Sequence, residues 1–179
     1  EHSRLSDIVS LGSLKGYLMK RRDFLTYSTA LGLYGVTGFR AYAQSSVLTF
    51  SGDVSSDALS FSDADLLELP QVSFETSTLW TEGVQEFSGP SLKSVLEATN
   101  AGEGNLLMSA VNDYSVEMPQ DIITDDFPII ANRIDGEPFS VRDKGPLWIV
   151  FPYDSDRSLQ QELVYSYSIW QLNRIEVLA

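Results

Sequence analysis

The chain has 179 residues, twelve Lys and Arg against twenty-five Asp and Glu, a formal net charge of −13 and a sequence pI near 4.3. It has no cysteine, and its one histidine is His2. Without thiolate or further imidazole, metal, redox and covalent chemistry by the protein itself is disfavoured, and the acidity argues against nucleic acid or an anionic membrane surface as a partner.

Residues 1–18 precede Met19 and read as an upstream extension without fold. Residues 19–43 have the order of an export signal. Met19, Lys20, Arg21 and Arg22 are the basic start, Phe24 to Phe39 form a mildly apolar run, and Ala41-Tyr42-Ala43 offers small residues to a signal peptidase. The run is too short and too glycine-rich to span a bilayer stably. Arg21-Arg22-Asp23-Phe24-Leu25 resembles the twin-arginine export motif. The expected product is a periplasmic protein of residues 44–179, one domain, not membrane-spanning after signal removal. In it six basic residues face twenty-two acidic ones, a surplus of sixteen negative charges. A saline habitat or simple solubility accounts for that surplus more readily than an acidic docking surface. With no cysteine, stability outside the cytoplasm must come from a buried core, and this length suffices for one.

Along this domain, Val47–Gly52 alternates as an opening strand. Ser62-Asp63-Ala64-Asp65 supplies an N-cap and early acids for a short helix that stops at Pro70. Val72–Thr78 is β-branched and aromatic and predicts a strand. Phe87-Ser88-Gly89-Pro90 is expected to turn into a helix with Pro90 in its first turn, Leu92, Val95 and Leu96 as its buried stripe, and Asn100 and Gly102 at its end. Asn105–Val111 and Tyr114–Met118 flank a hairpin turn at Asn112-Asp113. Pro119–Ile123 is expected to open another short helix. Ile129–Ile134 is a strand running into the turn Asp135-Gly136-Glu137-Pro138. Leu147–Phe151 is a central strand, an aromatic segment follows around Tyr165, Tyr167 and Trp170, and Arg174–Leu178 closes the chain. Strands that follow one another directly predict an α+β fold of mixed or antiparallel sheets with a few short helices.

The order of these landmarks resembles the sulfite-oxidase-type molybdopterin-binding domain family. Phe87-Ser88-Gly89-Pro90-Ser91-Leu92 with Val95-Leu96 looks like its F-x-G-x-x-L-x-x-L-L start, and Asn112-Asp113-Tyr114 like its D-G-Y turn. Ile130-Ala131 with Asp135-Gly136-Glu137-Pro138, Lys144-Gly145-Pro146-Leu147 with Val150-Phe151-Pro152, and Trp170 before Ile175-Glu176-Val177 resemble three further landmarks. The resemblance spans residues 47–178 and implies that fold.

In the family's enzymes a cysteine after the strand matching Val72–Thr78 ligates molybdenum; the window Thr76–Trp80 holds none. Where the resemblance implies phosphate-gripping cations, this chain has Trp148 and Ile169. The expectation is a scaffold without a catalytic metal and with no cofactor: an exported module that binds a small-molecule ligand or a partner protein, a membrane sensor or an oxidoreductase. The alternatives are a molybdopterin-dependent oxidoreductase with a cysteine-free centre, and an accessory subunit of an oxidoreductase complex.

The candidate cleft for a ligand or anion comprises Ser77, Trp80, Asn112, Asp113, Tyr114, Arg133, Arg142, Lys144 and Trp148. Trp80 follows the cysteine-free window and either lines the cleft or simply packs. Arg133, Arg142 and Lys144 could gather as an anion site, though salt bridges with the adjacent Asp135, Glu137 and Asp143 are the favoured alternative. Asp125-Asp126 and Asp154-Ser155-Asp156 lack the twelve-residue loop of a calcium site and read as solvated acids. Ser77 and Thr78 have no histidine to activate them, and nothing in spacing supports glycosidase chemistry by Glu75 and Glu82.

Overall fold

The structure is a computed structural model and describes residues 45–56 and 58–179. The expected extension, twin-arginine signal and cleavage site lie outside the described residues. What is described is α+β: ten strands in three sheets, with three short α-helices.

The largest sheet carries the order β2-β1-β10-β5-β6, made of β1 (Ser46–Gly52), β2 (Ala58–Ser62), β5 (Leu106–Ala110), β6 (Ser115–Met118) and β10 (Leu172–Val177). β1 and β10 run parallel and the other pairs antiparallel, so the sheet is mixed. Leu48 and Phe50 of β1 point into the core, as alternation requires. In β10 the buried residues are Leu172, Ile175 and Val177. A register shift between Leu172 and Arg174 accounts for that odd spacing, because a bulge adds one residue and resets the face.

A second sheet joins β3 (Gln71–Ser77), β4 (Val84–Pro90) and β8 (Arg133–Ile134), and β7 (Ile129–Ala131) pairs with β9 (Trp148–Val150) in a third. Every residue of β7 and β9 is buried, which explains why Leu147–Phe151 is the most apolar run: a strand covered on both faces has no polar side.

Helix α1 (Asp63–Glu68) begins with the expected cap. The Ser62 hydroxyl accepts from the Asp65 amide and the Asp65 carboxylate accepts from the Ser62 amide, a capping box. Helix α2 (Leu92–Thr99) buries Leu92, Val95, Leu96 and Thr99 and ends at Asn100, whose φ of 49° is left-handed. The Asn112-Asp113 turn joins β5 to β6, with Asp113 at φ 63°.

The structure corrects three local expectations and adds two elements. Phe87–Pro90 is not a turn but the end of β4, which pairs with β3 over seven residues; Ser91 is the helix cap and Pro90 stands before it. β2 and helix α3 (Glu162–Ser166) carry no local signal strong enough to be expected. Residues 129–134 form two strands, because Ile129–Ala131 pairs with β9 whereas Arg133–Ile134 pairs with β4. Residues Gln120–Ile122 make only one 3₁₀ turn.

Candidate functional site

Three chain segments bring aromatic rings to one place. Trp80 lies in the β3–β4 connection, where its amide donates to the Thr78 hydroxyl at 3.0 Å and that hydroxyl shares a hydrogen bond with Thr81. Tyr165 stands on α3. Trp170 sits in a segment tied down on two sides: the Leu172 amide donates to the Leu147 carbonyl, and the Val111 amide to that of Gln171. The Trp80 ring lies 5.5 Å from Trp170 and 6.0 Å from Tyr165, at interplanar angles of 88° and 85°. Such edge-to-face pairs are favourable beyond the area they bury.

These rings wall a cleft of about 460 Å³, completed by Ala110, Asn112 and Tyr114 from the β5–β6 hairpin and by Glu162, Ser166, Ser168 and Ile169 from α3 and the segment after it. Asn112 is fixed as part of an Asx turn, its side-chain oxygen accepting from the Tyr114 amide at 3.2 Å. Trp148 is fully buried behind this wall. Its ring meets Phe87 at 5.5 Å, Trp80 at 5.9 Å and Trp170 at 6.3 Å, and its indole N–H donates to the Ser168 carbonyl. Tyr153 stacks near Tyr165 at 4.9 Å, and its hydroxyl is hydrogen-bonded to that of Ser168. Burial pushes the Tyr153 hydroxyl well above the usual tyrosine range, against the opposing effect of the Ser168 hydrogen bond.

Of the nine residues expected at the cleft, Trp80, Asn112 and Tyr114 line it. Asp113 occupies the exposed corner of the hairpin turn and is not in the wall. Trp148 supports the cleft from the core and does not line it, a correction that follows from its burial. The Ser77 amide and hydroxyl both donate to the Asp154 carboxylate, at 2.6 and 2.9 Å. Lys144 has left-handed backbone and places its ammonium 6.0 Å from the centroid of the Trp148 ring.

None of the three cations lines the cleft. Arg133 is paired, but with Asp63 rather than with its sequence neighbours: two guanidinium nitrogens meet the two carboxylate oxygens at 2.9 and 2.8 Å. Arg142 is exposed and makes no ion pair among the described residues. The expected partners are engaged elsewhere, Asp135 by the Glu86 amide and Asp143 by the Ser140 hydroxyl. Asp125 pairs with Lys93, and Asp156 caps a 3₁₀ turn through Ser158.

The Arg133 hydrogen bond holds the Asp63 carboxyl below its ordinary value, partly offset by burial. The pair therefore stabilises the fold fully above about pH 4, the unfolded carboxylate range, and that contribution fades as pH falls through the depressed Asp63 value. The Arg side chain is 18% exposed and Asp63 42%, so solvent screening trims the bidentate pair. Arg133→Gln is expected to cost about 1 kcal/mol at pH 7. The gap between wild type and variant should narrow progressively as the pH is lowered below the carboxylate range, as urea unfolding at pH 7 and at acid pH will read.

Sequence reasoning did not place Glu162, Ser166, Ser168 or Ile169 at the site. The one available signal is the aromatic run through Tyr165 and Trp170.

The fold these elements define is of the sulfite-oxidase type. Among solved structures the chain is similar to the sulfane dehydrogenase SoxCD from Paracoccus pantotrophus, with a TM-score of 0.57 and 17% identity over 75% of this chain and 38% of that one. A likeness at that identity is one of fold. The match spans well under half of that protein's chain. No family model and no curated protein matches the sequence.

A molybdopterin, implied by the fold family, does not fit the residues present. The chain offers no thiolate anywhere. The Ser77 donors, beside the position where the resemblance implies one, are held by a carboxylate. The cleft wall contains Glu162 and no Lys, Arg or His to meet an anionic phosphate. No group of three or more His, Cys, Asp or Glu is placed to hold a metal among the described residues. No helix there is long and apolar enough to cross a membrane.

Proposed function

We propose that residues 44–179 form an exported recognition module, which binds a ligand in the aromatic cleft and passes that occupancy to a partner protein without redox chemistry of its own. The observation that carries this reading is the composition of the cleft: indole and phenol rings, one amide, hydroxyls and a single carboxylate around a volume typical of small-molecule sites. Export by the twin-arginine route rests on Arg21-Arg22-Asp23-Phe24-Leu25 and Ala41-Tyr42-Ala43. A membrane sensor or an oxidoreductase is the kind of partner proposed.

The test is elemental analysis of protein exported by its native host. The expected result is molybdenum far below one equivalent and no pterin fluorescence on denaturation. Stoichiometric molybdenum would overturn this reading in favour of an oxidoreductase with a cysteine-free centre.

A further inference from the structure

We propose that the cleft takes a small organic ammonium ion, a tertiary or quaternary amine, with Trp80, Tyr165 and Trp170 as its walls and Glu162 as its counter-charge; this rests on the reading of the cleft as a recognition site. The Trp80 ring stands nearly perpendicular to both of its neighbours, with centroids 5.5 and 6.0 Å away. Rings that meet at right angles form a corner rather than a flat stack. A compact alkylated cation seated in such a corner touches more than one electron-rich ring at once, the arrangement that recognises quaternary ammonium groups.

Charge separates the ligand classes. Glu162 is the one carboxylate in the wall, no Lys, Arg or His lines it, and the chain as a whole carries −13. An anion would meet repulsion from the wall and from the long-range field, which raises the local concentration of cations instead. Hydration separates the cations. A hard metal ion demands six or more oxygens, whereas the wall offers one carboxylate, one amide and a few hydroxyls. The Ser168 hydroxyl is already engaged with Tyr153 and the Val164 carbonyl. An alkylammonium sheds its weakly held water and satisfies its charge on π faces, which this wall supplies.

The experiment is calorimetric titration of the purified protein with choline and with 3,3-dimethylbutan-1-ol, its uncharged isostere. Choline is expected to bind about tenfold tighter than the alcohol. Trp80→Ala should weaken choline about tenfold by removing the ring shared by both perpendicular pairs. Trp80 is half-buried, so Glu162→Gln, at an exposed position, provides the second variant. It should weaken choline several-fold and leave the alcohol unchanged. Equal or tighter binding of the alcohol would overturn the ammonium assignment while leaving a ligand cleft in place. Binding of neither probe by folded protein would overturn the assignment too. The molybdenum measurement bears on the recognition reading separately, so the two failures are told apart.

Discussion

Trp148→Ala is expected to lower the stability of the domain by about 3–5 kcal/mol, the usual cost of truncating a fully buried tryptophan. For a domain of this size that is a fall in Tm of roughly 10–20 °C. Three effects add. The indole is 0% exposed and meets Phe87, Trp80 and Trp170, so its removal opens a cavity among rings that cannot collapse independently. Its N–H leaves the Ser168 carbonyl without that donor. It also stands at the end of the β7–β9 pair, opposite Ala131, and bridges to Trp170, so the cleft wall loosens with the core. Choline affinity should fall alongside stability although Trp148 does not line the cleft. Urea unfolding and calorimetry on the same variant check both; a loss under about 1 kcal/mol would show that the rings repack without it.

Gly89→Ala is the second large effect, at about 3 kcal/mol, the upper end of what overpacking costs. The reason is contact rather than backbone dihedral. A Cβ on Gly89 would run into the Ile130 carbonyl oxygen and lie 3.0 Å from the Ala131 Cα, all main-chain atoms of β7. These atoms cannot rotate away as a side chain would. Relief requires β4 to move off β7, breaking the Asn132 amide bond to the Ser88 carbonyl. Gly136 is the control. Its φ is +80° and an added Cβ meets nothing within 4 Å, so Gly136→Ala should cost only the left-handed penalty of about 1 kcal/mol. Equal losses at the two positions, read by thermal unfolding, would refute the close-approach account.

Gly89 also shows how far the sequence can be followed. Phe-Ser-Gly-Pro reads locally as a turn, because glycine and proline are the common punctuation of loops. It is a strand because β3 on one side and β8 on the other pair with β4, and the glycine is the concession to the close approach of β7. The same limit applies to β2 and α3, whose short, mixed segments take their state from the partners they pack on. By contrast, the Ser62 cap, the Asn100 stop and the Asn112-Asp113 turn are written within four residues each, and the structure has them.

The site divides in the same way. Trp80, Asn112 and Tyr114 could be singled out because an aromatic and a turn stand at recognisable landmarks. Arg133, Arg142 and Lys144, clustered within twelve positions of sequence, do not line the cleft. Arg133 finds its carboxylate seventy residues away on α1.

The sequence by itself determined the chemistry that this protein has to work with, since no folding creates a thiolate, an imidazole or a cation that the chain does not encode. It also determined the local signals, caps and strand alternation, whose energetics depend on neighbours a few residues apart. Only the tertiary structure decided which carboxylate meets Arg133, which strand presses on Gly89 and which rings face one another around the cleft. Those outcomes depend on contacts summed over the whole chain, and no window of sequence contains both partners.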